Sequence, residues 1–276
     1  MDNIKLSRFK QEIAAIYDRR QDSYDRGGVD NWHYKLACRL VEFAEIKPGQ
    51  SILDLATGTG MVAIEAAQQV GLSGRVIGID ISQGLLSVAL QKIEATGLTD
   101  IIQLQLADIE QLDLPRNSYD VILCCSALPL LTNVPADLRL WRSFLKPGGK
   151  IALCVFAETA FVTGATLQKV ARRYGVNIVM SDLTGTAAKT RSLLQAAGYR
   201  NIKLTTEQYG YYTDFDSIAI KDWNISLQHP HCQPLLNLKP SHLEQLKAEY
   251  AAELKALVSP AGIWNDITTY FVTGQK

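Results

Sequence analysis

The run Ser51-Ile52-Leu53-Asp54-Leu55-Ala56-Thr57-Gly58-Thr59-Gly60 decides the fold of this 276-residue chain. It begins as an apolar stretch, passes an acid and ends in a turn with glycines at 58 and 60. Directly behind it, residues 61–70 carry apolar side chains at helical spacing, so the glycines stand at a strand-to-helix junction. Such a junction lets a ligand approach the backbone closely and aims helix-start amides at it.

Outward from the turn, short apolar runs alternate with helical ones. Strands are predicted over 51–56, 76–81, 101–106, 119–125 and 151–156, and helices near 61–70, 82–96 and 136–145. Gly97 suits the end of the middle helix, and Pro147-Gly148-Gly149 predicts a turn after the third. This alternation predicts a doubly wound, mainly parallel α/β sheet covered on both faces. Upstream, Leu6, Phe9, Ile13 and Ile16 mark an amphipathic helix, and a second runs from about Lys35 towards Pro48-Gly49. Downstream come two helical stretches, a strand over 199–207 and a final strand over 266–273. The segment 211–264 is too long for a loop. It holds a helix predicted over 241–258, opened by a Ser241…Glu244 capping box, with Leu243, Leu246, Tyr250, Leu254 and Leu257 on one face. The expected organisation is an N-terminal helical cap segment (1–46), a ligand-binding core (47–210), a helical insertion or lid (211–264) and a last core strand (265–276). Both chain ends are expected to cap the carboxyl edge of the sheet.

Composition narrows the function. With 47% hydrophobic and 20% charged residues the chain reads as globular. Twenty-eight basic residues balance twenty-eight acidic ones, so no net field favours nucleic acid or anionic lipid. The apolar run over 121–131 is too short to span a bilayer, and the first twenty residues hold no signal-peptide core, so a cytoplasmic location is expected. Five cysteines without a CxxC pair read as free thiols in a reducing compartment.

Three acids surround the glycine turn. Asp80 ends the second strand, twenty residues beyond Gly60, where a carboxylate can accept from both hydroxyls of an adenosine ribose. Asp54, four residues ahead of Gly58, can help hold a ligand ammonium and would repel a pyrophosphate. Asp108 ends the third strand and suits an adenine amino group, with the Ile109 amide facing the ring and Ile81 offering a stacking face. The spacing Gly58-x-Gly60-x-x-Ala63 with Asp80 also fits a relaxed dinucleotide fingerprint, which keeps an NAD(P)-dependent oxidoreductase open. Three acids without an evident phosphate-binding cation suit a cationic, phosphate-free adenosine better.

From about Lys47 to Glu158 the chain resembles the core of the class I S-adenosylmethionine-dependent methyltransferases. Asp54–Gly60 stands in the family's acidic glycine motif, with Ala56 where its first glycine often lies and Thr57 inside the turn. Asp80 in Val76-Ile77-Gly78-Ile79-Asp80-Ile81-Ser82 matches the ribose-binding acid, Leu85 a cofactor-contacting apolar position, and Asp108-Ile109 the adenine pair. Leu145-Lys146-Pro147-Gly148-Gly149 matches the turn before the fifth strand. Ile16-Tyr17-Asp18, Ser23-Tyr24-Asp25 and Trp32-His33 are similar to the segment ahead of the core in the quinone-biosynthesis subgroup, where tyrosines fold over the cofactor. The resemblance implies a seven-stranded Rossmann-like core with S-adenosylmethionine as donor and S-adenosylhomocysteine as product. It places the backbone carbonyl of Cys125 near the donor's amino group.

The implied chemistry is in-line attack of an acceptor atom on the sulfonium methyl, needing alignment and a dry pocket but no metal. His33 is the first candidate for a base, because it sits in the cap segment and titrates near neutrality when unperturbed. Tyr17 and Tyr24 are alternatives that orient the acceptor or cover the cofactor, while Asp18 and Asp25 read as solvated charges. His229-Pro230-His231-Cys232 invites a metal reading, but the proline restricts the geometry and no second ligand cluster accompanies it. Tyr209, Tyr211, Tyr212 and Phe215 either line an acceptor pocket or pack an edge strand. The absence of Asn-Pro-Pro-Tyr and of a basic cluster argues against nucleic-acid acceptors. A small apolar or aromatic metabolite, handled by a monomer or homodimer, is the expected acceptor. A chain that keeps fold and ligand without turnover is the remaining alternative.

Overall fold

A computed structural model of the chain describes residues 6–28, 31–178, 182–219, 223, 227 and 229–276. The chain divides into two compact units: residues 1–155, 187–205 and 270–276 form the first, and 156–186 with 206–269 the second.

The first unit is built on a seven-stranded sheet. In chain order it comprises α1 (Arg8–Asp18), α2 (Trp32–Ala44), β1 (Ser51–Leu55), α3 (Met61–Val70), β2 (Arg75–Asp80), α4 (Gln83–Ala95), β3 (Ile102–Leu106), β4 (Tyr119–Cys125), α5 (Val134–Phe144) and β5 (Leu145–Phe156). After the second unit's first helix, α6 (Val162–Arg173), come α7 (Ala187–Ala196) and β6 (Arg200–Glu207). Three further elements, β7 (Gly210–Thr213), α8 (Phe215–Ala219) and α9 (Pro240–Lys255), precede β8 (Ile263–Asp266) and β9 (Thr269–Gln275). The strand order is β3-β2-β1-β4-β5-β9-β6. β1 pairs in parallel with both β2 and β4, so the winding reverses between β1 and β4. At such a reversal the connections leave in opposite directions and open a crevice at the strands' carboxyl ends.

Every residue of β1 is buried, as expected for a central parallel strand covered on both faces. On one face Leu53, Leu55, Ile122 and Leu153 meet Trp141 and Phe144 of α5 and Leu194 of α7. The helices begin where side chains replace the missing carbonyl partners. Ser82 Oγ accepts from Leu85 N at α4 (3.1 Å), and Asn133 Oδ1 from Ala136 N at α5 (3.2 Å).

The turn expected at 147–149 is instead an irregularity inside β5. Pairing jumps from Tyr119–Leu145 to Val121–Lys150, which leaves the intervening residues as a bulge with Gly148 at φ +79°. The single strand expected over 266–273 is two strands, because Asp266 Oδ1 accepts from Thr268 N and Oγ1 and turns the chain between β8 and β9.

In the second unit β7 and β8 form an antiparallel pair, and α6 and α9 share a core with Leu167, Val170, Leu246, Tyr250 and Leu254. Tyr211 and Tyr212 stand on β7 and are exposed. The capping box expected at Ser241 does not form. Lys239 takes the cap position and Pro240 starts α9, so Ser241 lies inside the helix. Leu257, expected on the buried face, lies beyond the helix end and is exposed. Among the described residues no helix is long and apolar enough to cross a membrane, and no three potential ligands gather to hold a metal ion.

Candidate cofactor site

The glycine turn is held from behind. Thr57 Oγ1 donates to Asp54 Oδ2 at 2.6 Å, and Thr57 N donates to Ile79 O at 2.9 Å, tying the turn to both β1 and β2. Asp54 itself lies beneath the turn and not among the pocket-lining residues. Its Oδ1 faces the start of α3 without a full hydrogen bond, and burial pushes the carboxyl up to about 7. Gly58 and Gly60 adopt φ +57° and +78°, and Ala56 shares the left-handed region at φ +55°. A Cβ at Gly58 would meet only Leu85 Cδ1, at 3.9 Å, so the bare backbone faces open space. At Gly60 a Cβ would stand 3.1 Å from that of Ala89, so this glycine serves helix packing.

Asp80 joins the turn to the next helix. Its Oδ2 accepts from Gly58 N at 2.8 Å and its Oδ1 from Ser82 N at 2.9 Å. Burial raises its pKa and these amides oppose the rise. Each oxygen has a further lone pair, and the carboxylate lines the crevice. Asp108 and Ile109 lie across from it at the end of β3. Trp141 Nε1 donates to Ile109 O at 2.9 Å and fixes the pair from the α5 side.

A pocket of about 620 Å³, including its open mouth, unites Tyr17, Tyr24, Ala56, Gly58, Asp80, Ile81, Leu85, Asp108, Ile109 and Cys125. A smaller recess shares Tyr24, Ala56, Gly58 and Cys125 with it and adds His33, Thr57 and Thr59. Of the candidate positions, Asp54 and Gly60 alone line neither. Ser126, beside Cys125, also lines both cavities at φ +63°, so two non-glycine residues face the site in a costly backbone conformation.

The N-terminal segment forms one wall, through residues that local sequence spacing does not reveal. Asp18 and Asp25 are not solvated charges. Asp18 Oδ1 accepts from Ser82 Oγ (2.6 Å) and Gly84 N (2.9 Å), at the positive end of α4. Asp25 accepts from Thr59 Oγ1 (2.7 Å) and pairs with Lys92 (2.9 Å), which also donates to Thr59 O. Lys10 supplies a cation that the sequence reading lacked. It is buried, lines the pocket, donates to Leu130 O at 3.2 Å and pairs with Glu110 and, at 3.9 Å, with Asp108. Those acids engage its charge, so it does not form a phosphate site.

His33 does not titrate near neutrality. Burial first, then the Arg20 charge, pull it down to about 4. Its Nδ1 lies 2.9 Å from Asn31 Oδ1, an acceptor, so Nδ1 carries the proton. Trp32 stacks on the imidazole at 3.5 Å and Tyr24 lies 4.5 Å away. Burial raises the pKa of Tyr17 and of Tyr24, which keeps both as neutral donors.

A family described as a methyltransferase domain matches residues 46–215, which include the whole glycine turn and both pocket acids. This chain belongs to that family. Demethylmenaquinone methyltransferase of Symbiobacterium thermophilum is 33% identical over 150 residues, 54% of this chain and 58% of that one. Aklanonic acid methyltransferase DauC of Streptomyces sp. (strain C5) is 30% identical over 158 residues, 57% of this chain and 70% of its own. The chain thus spans less than two thirds of the Symbiobacterium protein. Among solved structures, phosphoethanolamine N-methyltransferase 2 of Haemonchus contortus, in complex with S-adenosylhomocysteine, superposes with a TM-score of 0.62 at 16% identity. That match covers 99% of this chain and 61% of the other, and at this identity it establishes the shared fold.

Proposed function

We propose that this chain transfers a methyl group from S-adenosylmethionine to a small, apolar or aromatic metabolite. The observation that carries the cofactor reading is the Asp80 carboxylate, held by the Gly58 and Ser82 amides with spare lone pairs towards the pocket. It suits a ribose diol, and Asp108 with the Ile109 amide suits the adenine edge. Bare backbone at Gly58 leaves room for a ligand to approach the turn closely. No cation free of acid partners faces the pocket from its lining residues, which disfavours a dinucleotide pyrophosphate.

The bound donor would supply an activated methyl group on a sulfonium. The chain's part is alignment and exclusion of water. Ile13 and Tyr17 from α1, with Tyr24, cover the pocket opposite the sheet edge. With His33 pulled down to about 4, the site holds a weak base at that position. This favours an acceptor that is already nucleophilic, such as an ionised hydroquinone or enol carbon. Relatives named for demethylmenaquinone and aklanonic acid support an aromatic or quinone-type acceptor.

The test is incubation with methyl-labelled S-adenosylmethionine and a panel of hydroquinones, polyketide-type acids and simple amines. Labelled aromatic product with stoichiometric S-adenosylhomocysteine is expected. Label on amines alone refutes the acceptor class, and no transfer to any acceptor refutes turnover.

A further inference from the structure

All five cysteines are free thiols, and three of them stand on two neighbouring strands, Cys124 and Cys125 at the end of β4 and Cys154 in β5. Cys125 and Cys154 are direct partners in the parallel ladder, and Ser126 N then donates to Cys154 O at 2.9 Å. Partners in a ladder turn their side chains to the same face. The two sulfurs are therefore neighbours, while Cys124, opposite Leu153, points to the other face. The Ser126 hydroxyl reaches both, 3.6 Å from Cys125 Sγ and 3.7 Å from Cys154 Sγ, and the two thiols also hydrogen-bond each other.

The pair differs in what can reach it. Cys125 is half-buried and lines both cavities, whereas Cys154 is fully buried and burial holds its thiol well above the usual range. A small oxidant entering the crevice meets Cys125 first and finds a second thiol directly behind it. Adjacent strands lie about 4.8 Å apart, inside the Cα separation that a disulfide spans. The chain has room to adjust, because β4 ends at Cys125 and Ser126 leaves it at φ +63°. A disulfide across neighbouring strands is strained and therefore readily reduced again.

We propose that Cys125 and Cys154 form a reversible oxidation site, in which a peroxide entering the pocket converts the two thiols to a disulfide. In the first step a sulfur–oxygen bond forms at Cys125 as the peroxide O–O bond breaks, and one water leaves. The Cys154 sulfur then attacks the Cys125 sulfur, expels the oxygen as a second water and passes its proton to the Ser126 hydroxyl beside it. The two thiols lose two electrons and two protons, and the peroxide is reduced to two waters. The bond draws Cys125 off the pocket wall and displaces the Ser126 hydroxyl, which lines both cavities. Its effect on the cofactor rests on the S-adenosylmethionine reading above, whereas the cross-link itself does not.

The test treats the unaltered, folded chain with hydrogen peroxide at neutral pH, blocks remaining thiols by alkylation and maps the tryptic peptides by mass spectrometry. A link between peptides 117–139 and 151–169 is expected, with fragmentation placing it on Cys125 and not Cys124. Free thiols should fall from five to three and return to five with dithiothreitol. In Cys154→Ala the link should be absent and Cys125 trapped by dimedone as its sulfenic acid. A link through any other cysteine, a sulfinic acid at Cys125 in place of a link, or five surviving thiols overturns the proposal. S-adenosylhomocysteine is titrated into the reduced, oxidised and re-reduced chain. Oxidation should weaken it by about tenfold or more, reversibly. Affinity that stays within about threefold across a mapped link overturns the effect on the pocket. Failure of the reduced chain to bind overturns the cofactor reading, and the peptide map still decides the cross-link.

Discussion

Asp80→Asn is an isosteric change whose effect follows from the hydrogen bonds at this carboxylate. Its two oxygens accept from Gly58 N and Ser82 N at 2.8 and 2.9 Å, in a residue that is 7% exposed. The amide side chain keeps one acceptor and turns a donor towards the other backbone N–H. Leaving one buried donor unsatisfied costs roughly 1–3 kcal/mol, so the melting temperature should fall by a few degrees. Binding loses more. A ribose diol would meet one neutral acceptor in place of two charged ones, and each charged bond is worth about 1.5–3 kcal/mol. A total loss of about 3 kcal/mol corresponds to roughly a hundredfold rise in Kd for S-adenosylhomocysteine. Titration calorimetry reads that change, and a thermal melt in parallel shows whether the variant is folded. A folded variant that binds within threefold of the unaltered chain refutes the reasoning, because the carboxylate would then hold only the turn.

Three further changes test other parts of the site. Ala56→Gly relieves a left-handed alanine at φ +55°, about 1–2 kcal/mol, against about 0.4–1 kcal/mol of added unfolded-state entropy; a small gain in denaturation midpoint is expected, and a lower midpoint contradicts it. Asp137 is buried with Oδ2 unpartnered, and burial, reinforced by Glu110, pushes it up to about 7. The folded state therefore binds its proton more tightly than the unfolded state, and this contribution is lost as pH rises from about 4 to 7. Asp137→Asn should flatten that part of the stability–pH curve, and an unchanged slope would argue against the shift. Lys10→Met leaves Glu110 and Asp108 without their buried ammonium, costing about 3 kcal/mol in denaturant titrations; an unchanged denaturation midpoint contradicts the ion-pair role.

Much of the sheet was legible because central parallel strands, buried on both faces, appear as continuous apolar runs. β4 falls on the predicted range, while β1, β2 and β3 begin or end one residue away. The glycine turn and the acids ending β2 and β3 were legible for the same reason, since a strand's end fixes where its next side chain stands. The bulge in β5 was hidden because glycines that relax a strand resemble glycines that end one. Asp266-Ile267-Thr268 looked like strand, yet the Asp266 carboxylate turns the backbone there. The N-terminal wall was the least legible part. Lys10, Asp18 and Asp25 find partners 34 to 120 residues away, and no local periodicity encodes that distance. The low pKa of His33 likewise depends on burial and on the Arg20 charge, neither of which follows from the motif around it.

The reading proposed for this pocket is a phosphate-free adenosine cofactor. Calorimetric titration with S-adenosylmethionine, S-adenosylhomocysteine and NAD in parallel tests it most directly. Micromolar binding of the first two and none of the third is expected. Binding of NAD alone would contradict it.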